Sequence, residues 1–430
     1  MVKLLKALFI TTKDIGRAGY LWNGISSLLV AMQSAVVLMV ITRTNDIKDA
    51  GVFSISYAIA SLMLYIGEFG VRRFQVSDLE EVYKFEDYFS ARIISCVAMA
   101  LSSIAYIGYG FVLENYSGEK CIVIALMCTI KLIDAFADVF YGRFQQKWRL
   151  DVAAKTTSFR IFLSTSVCII SLFITHDLIT SMFIWLVFSI IAMCTSTLPT
   201  ATYFCKIKIH FRYKIIKQIL IECFPLFLGN FLLLYIGNAP KYAIDVYMNE
   251  EMQAYFNFIF MPVFTIGLLA NFIFNPVLTR LAKKWADCEF KGFFKIVIKQ
   301  TIYICVITIL AVAFAYILGI HILSFIFGVK LGTYKMELCI LLIGGGMLAL
   351  VNFCAVVLTV IRQQKLLVWG YVIVSFLAKL LSDYFVNNYQ IIGAAVFYTF
   401  LMGLLAICFI CILSITAKRE AISRKRGERK

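Results

Sequence analysis

Three ionisable residues, Lys131, Asp134 and Asp138, interrupt an apolar stretch, Cys121–Tyr141, that is long enough to cross a bilayer. Offsets of three and seven residues place them within about 60° of one another on a helix. An ionised side chain at mid-bilayer costs roughly 2.5–3.5 kcal/mol on insertion scales, so these three do not face lipid. Two uses fit: a structural ion pair that locks helices together, or the lining of a path for something polar or charged. Lys379 and Asp383 form a second deep set, an i, i+4 pair for which self-neutralisation is the simple account. Lys131 and Lys379, the two deep cations, are suited as point charges to hold a phosphate or diphosphate in a shared cavity. Asp134, Asp138 and Asp383 are the carboxylates able to take up a coupling proton or sodium ion. Glu68, Arg160 and Glu222 fall near inner helix ends, where such residues more often reach water than bind a ligand.

The interior amides, among them Asn23, Asn230 and Asn257, both donate and accept, which suits sugar hydroxyls in a wet cavity. They serve equally well to stitch helices together. There is no G-x-S-x-G, no P-loop and no H-E-x-x-H, so neither ATP hydrolysis nor a familiar hydrolase is indicated. Cys408 and Cys411 make a lone C-x-x-C inside an apolar run, where cysteine is a small buried hydrophobe. The three histidines lack ligand spacing. The expectation is a non-enzyme with no metal site and no cofactor.

The elements that position these residues are membrane spans. The chain of 430 residues is 61% hydrophobic and only 15% charged, well below the charged fraction of soluble domains. Spans are expected at 20–41, 50–69, 93–113, 121–141, 156–175 and 178–203, then at 219–238, 253–278, 300–320, 334–361, 366–386 and 391–416. This predicts an all-α membrane protein of about twelve helices in two six-helix lobes with a central cavity. The lobes are residues 1–203 and 219–416, joined by a basic linker at 204–218 and followed by a basic tail at 417–430. Residues 3–17 read as an amphipathic helix on the inner surface.

The net charge of +16 does not mean nucleic acid, because the basic residues sit in alternate loops. With the N-terminus inside, inner segments carry 32 lysines and arginines and outer loops carry 6. Residues 71–92 count as an inner segment and Lys241 as an outer-loop residue. Both termini are therefore expected in the cytoplasm, with anionic lipid as the partner of the tail. Outer loops are too short for an extracellular catalytic domain.

The halves echo each other. KLLK at 3–6 answers KIIK at 214–217, and Trp22-Asn23-Gly24 answers Leu228-Gly229-Asn230. A parallel repeat of this kind usually places a substrate cleft between its halves. Pro225, Pro240, Pro262 and Pro276 cluster in the first two spans of the second lobe, where proline frees carbonyls and kinks a helix. Gly344-Gly345-Gly346 interrupts the tenth span and is read as close helix packing in preference to a hinge.

Three segments carry a resemblance. The first is residues 50–78, with an Ala-Gly-x-Phe start and Gly-x-x-Gly-x-Arg-Arg-Phe-Gln-Val-Ser-Asp at its inner end. The second is Asn238-Ala239-Pro240-Lys241-Tyr242-Ala243-Ile244-Asp245 with Phe-x-x-x-Phe-Met-Pro at 256–262, and the third is Asn275-Pro276-Val277-Leu278. These resemble the bacterial oligosaccharide-lipid flippases, the polysaccharide transporter branch of the multidrug/oligosaccharidyl-lipid/polysaccharide exporter superfamily. The resemblance implies a two-lobe, alternating-access transporter of the bacterial cytoplasmic membrane. Its cargo would be an undecaprenyl-diphosphate-linked oligosaccharide, with proton or sodium coupling, and glycosyltransferases and a polysaccharide polymerase as neighbours in the pathway. It also implies a cationic cavity for the diphosphate. Lys131 and Lys379 are the candidates for that role, with Arg72 and Arg73 at the inner mouth. The competing expectation is a cation-coupled multidrug antiporter of the same superfamily, which would favour a net acidic cavity wall.

Overall fold

The computed structural model describes residues 6–361 and 363–425, leaving aside the side chains at 265, 267–279, 364–365, 417–418 and 420–425. The Asn275–Leu278 motif and, apart from Arg419, the basic tail at 417–430 thus lie outside the described side chains. Every long element among the described residues is a helix. In chain order these are α1 (Ile15–Thr44), α2 (Ile47–Glu68), the short α3 (Val71–Ser77), α4 (Phe85–Leu113), α5 (Gly118–Gln146), α6 (Leu150–Thr175) and α7 (Leu178–Ala201). They continue with α8 (Tyr213–Tyr247), α9 (Glu250–Ala286), α10 (Phe290–Phe327), α11 (Lys335–Val360) and α12 (Gln364–Lys425). α12 is two helices joined at Gln390, whose φ of 52° breaks the rod. Phe385 stacks on Phe397 at 5.1 Å between centroids, a contact that a straight helix forbids, so the chain reverses there. A Cβ on Gly393 would lie 2.1 Å from the Phe385 carbonyl oxygen, so only glycine fits beneath that corner.

The helices begin where short polar side chains satisfy free backbone N–H groups. Asp14 accepts from the Arg17 amide at 3.0 Å, Asp177 from Thr180 at 2.7 Å and Asn249 from Met252 at 3.0 Å. Ser117 accepts from the Lys120 amide at 3.2 Å to open α5, with Glu119 in its first turn.

The chain divides into two compact units, Met1–Phe231 and Leu232–Lys430. In the first, α5 packs against α2, α3, α4, α6 and α7, so the helix with the most interior charge is also the most surrounded. In the second, α11 plays the corresponding part against α9, α10 and α12. Its three glycines are contact points: a Cβ would meet the Tyr398 ring at 2.6 Å from Gly344, Val263 at 3.2 Å from Gly345 and the Thr308 hydroxyl at 2.3 Å from Gly346. α11 runs unbroken through them, as close packing requires.

Four expectations need correction. Of the helix expected over 3–17, the described residues form only a short turn, Lys6–Ile10, before Asp14 caps α1. Phe9 of that turn is buried against Phe159 of α6. Arg92, counted as an inner-loop residue, is fully buried in the second turn of α4. Lys241, counted as an outer-loop residue, is buried within α8, which also runs on through Pro225 and Pro240. Arg160 is likewise buried inside α6 and is no boundary residue.

Candidate functional site

α2 ends at Phe69 and Gly70, both left-handed, with φ of 46° and 71°. A Cβ on Gly70 would press on Leu226 at 3.1 Å in addition to the strained φ, which is why glycine sits at this corner. The turn starts α3 in a new direction and carries Arg72 and Arg73 with it. Gly67, one turn earlier, lets α2 approach α4 and α5, since a Cβ there would meet Met99 and Ala135 at 2.7 and 2.8 Å. The loop after α3 is fastened to the end of α5. Gln146 donates to the Asp78 carbonyl at 2.7 Å, and Glu81 pairs with Arg143 at 3.2 Å and with Lys147.

These constraints leave a polar cavity of about 480 Å3 inside the first unit. Tyr65, Glu68, Arg72, Arg73, Asp138 and Gln145 contribute its polar wall, and Asn230 of α8 completes it. Asp138 is bound on two sides. Its Oδ2 accepts from Arg92 at 2.8 Å and its Oδ1 from Arg72 at 3.1 Å. Arg92 also donates to the Gly67 carbonyl, and Arg72 to Gln145 at 3.2 Å. The wall thus presents two arginines and two carboxylates, with a third arginine, Arg92, sealed behind one of the carboxylates.

Lys131 and Asp134 form a separate cluster on the same helix. The Lys131 ammonium lies 3.1 Å from Asp134, 3.4 Å from the Tyr57 hydroxyl and 4.7 Å from the centre of that ring. Asp134 also pairs with Arg160, which donates to Tyr141 at 3.3 Å. In this arrangement Asp134 is shared by two buried cations, a geometry suited to locking α5 against α6.

Of the residues expected to act together, the structure gathers Arg72, Arg73, Asp138 and Asn230 around one cavity. Lys131 and Asp134 are not among its lining residues. Asn23 is exposed on α1. In the second unit Asn257 is buried and donates to the Gln253 carbonyl at 3.1 Å. Lys379 is exposed on α12, and Asp383 accepts from Ser382 at 3.2 Å. Lys379 and Asp383 make no ion pair with each other among the described residues, so the expected self-neutralisation is absent. Three polar wall residues, Tyr65, Glu68 and Gln145, escaped assignment from the sequence. Glu68 was taken for a boundary residue, and Gln145 lies in what read as an inner loop. The Gly-x-x-Gly spacing beside Glu68 was the available signal.

No family model matches the chain. Among curated proteins it is 24% identical over 380 residues to the capsular polysaccharide biosynthesis protein CapF of Staphylococcus aureus, a match covering 87% of this chain and 93% of that one. Among solved structures, the lipid II flippase MurJ in an inward closed conformation superposes with a TM-score of 0.69 at 13% identity, over 93% of this chain and 90% of that one. An inward-facing multidrug resistance MATE transporter of the MOP superfamily gives 0.62 at 13% identity, over 97% and 98%. These matches agree with the resemblance carried by residues 50–78 and 238–262. The chain is an all-α, multi-pass membrane protein with the fold that MATE transporters and the flippase MurJ share.

Proposed function

We propose that this protein moves an undecaprenyl-diphosphate-linked oligosaccharide across the bacterial cytoplasmic membrane by alternating access, for cell-surface polysaccharide synthesis. The observation that carries the reading is the similarity to CapF along nearly the whole of both chains. The polar cavity adds a chemical reason. Arg72 and Arg73 offer planar donor forks that match phosphoryl oxygens better than a lysine does. Asn230 on the same wall is suited to a sugar hydroxyl. In this reading Arg72 and Arg73 take the headgroup, while Lys131, paired with Asp134, holds the scaffold. A proton or sodium ion acting through Asp134, Asp138 or Asp383 would drive the cycle. Cytoplasmic termini, a six-helix lobe on each side of the 204–218 linker, and partnership with glycosyltransferases and a polymerase belong to the same proposal.

The MATE likeness makes a cation-coupled drug antiporter the second reading. That function favours an acidic wall, whereas here two arginines match two carboxylates and Arg92 backs one of them. The deciding experiment reconstitutes the protein in liposomes with a fluorescent polyprenyl-diphosphate disaccharide and follows its accessibility to an external quencher. Flipping that Arg72→Gln and Arg73→Gln each reduce is the expected result. Lipophilic-cation transport without flipping would replace the proposal by the antiporter.

A further inference from the structure

The two arginines on Asp138 are not equivalent. Arg92 has no exposed side-chain surface, and its second donor is committed to the Gly67 carbonyl. Arg72 keeps a third of its side-chain surface exposed and lines the cavity. Its guanidinium is also divided: one nitrogen reaches Asp138 at 3.1 Å and the other reaches Gln145 at 3.2 Å. The carboxylate therefore does not fill the donor fork that an arginine offers to a planar or tetrahedral oxyanion. A phosphoryl group entering the cavity presents two or three oxygens and can engage both nitrogens at once. If it does, Asp138 loses Arg72 but is not left as an unpaired buried charge, because Arg92 still holds it.

We infer that Asp138 is a resident stand-in for the substrate's phosphoryl group: Arg72 passes from Asp138 to the incoming anion, and Arg92 is the positioning residue that retains the carboxylate. This rests on the transport reading above and adds to it a way for occupancy to be felt by the fold. Arg72 belongs to α3 and Asp138 to α5, so the exchange removes the ion pair that joins those helices. An anionic headgroup would then loosen α3 as it binds. The sealed and open arginines divide the work, one keeping the interior neutral and the other meeting the ligand.

The test measures binding of undecaprenyl diphosphate to the full chain in phosphatidylcholine nanodiscs. Asp138→Asn keeps an acceptor for Arg92 but removes the charge competing for Arg72, so binding should tighten about tenfold. In an Arg72→Gln background the same change should give no gain. Unchanged or weaker binding by Asp138→Asn, or a gain that persists without Arg72, would overturn the exchange. Wild-type protein gives an independent reading should Asp138→Asn fail to fold. Amide hydrogen exchange across Val71–Ser77 should speed up when undecaprenyl diphosphate is added, and slowing there would count against release of the link. Wild-type protein that binds no undecaprenyl diphosphate sinks the transport reading together with the exchange. Binding without either signature sinks the exchange alone.

Discussion

The two units differ in how their buried charges are met. In the first, Lys131 and Arg160 share Asp134, and Arg92 shares Asp138 with Arg72, while buried Lys120 at the start of α5 lies 4.0 Å from the centre of the Tyr116 ring. In the second, Lys241 is buried with its ammonium 4.3 Å above the Phe260 ring and 5.9 Å from Phe264. No carboxylate lies within ion-pairing distance of it among the described residues. A ring face returns about 2 kcal/mol to a desolvated cation, less than a charged partner can. The open spaces differ in the same sense. The first unit encloses a polar cavity, whereas the second carries two apolar clefts of about 600 and 480 Å3 that share α10. Charge is concentrated where it is neutralised, and the other unit offers rings and aliphatic surface.

The contrast is sharpest in stability. Asp134→Ala should cost about 3–5 kcal/mol, because Lys131 and Arg160 lose their shared anion. Lys241→Met should be neutral or stabilising by about 1–2 kcal/mol, since it removes an ammonium without a counter-charge. Thermal unfolding of the detergent-purified chain measures both, and equal losses would erase the distinction. Next come the tight contacts, one in each unit. Gly142→Ala would set a Cβ 2.3 Å from the Gln75 side-chain oxygen, and Gly346→Ala would do the same against the Thr308 hydroxyl. Each should cost about 1–3 kcal/mol by overpacking. A much smaller loss at Gly346 would mean that α10 yields more easily than α3.

A smaller energy but a clear functional effect is expected at Arg72. Arg72→Gln leaves Asp138 with Arg92, so stability should fall by only about 1 kcal/mol. Flipping in liposomes should drop about tenfold, as loss of one charge-assisted contact predicts. The smallest effect belongs to Glu81, in the loop outside the spans. A hydrogen bond from Lys147 holds its carboxyl below the usual range; partial burial opposes this and Arg143 adds to it. A lowered folded-state value means that the contribution is present above the ordinary glutamate range and disappears as pH falls through the lowered value. With the side chain 38% exposed, solvent screening limits it to about 0.5 kcal/mol. Melting temperatures of wild type and Glu81→Gln should differ slightly at pH 7 and converge on acidification.

Much of the fold was legible in the sequence. Each of the twelve expected spans corresponds to a helix, and the tightly spaced Lys131, Asp134 and Asp138 do turn inward. What local pattern could not reveal was pairing across distance. Arg92 follows a run with Glu86 and Asp87, so it read as part of a polar loop. Its burial is made possible by Asp138, 46 residues later. Lys241 follows Asn-Ala-Pro and read as an outer turn, yet α8 continues and Phe260 of the next helix shelters the ammonium. Arg160 looked like a span-edge residue for the same reason, whereas Glu68 does close α2 and still lines the cavity. Sequence spacing registers the face on which a charge lies but not the helix that answers it. The site was therefore half legible: Arg72, Arg73, Asp138 and Asn230 follow from the sequence, while the roles of Arg92, Tyr65, Glu68 and Gln145 emerged only from packing.

The corner at Gln390 has a consequence for how the chain is built. A single residue separates the last two limbs, and Phe385 already rests on Phe397 across the bend. Neither limb can enter a bilayer and wait for the other, because no slack tether joins them. They must be delivered side by side as one wedge, and a tag or protease site spliced into that corner would prise the wedge open instead of dangling harmlessly outside.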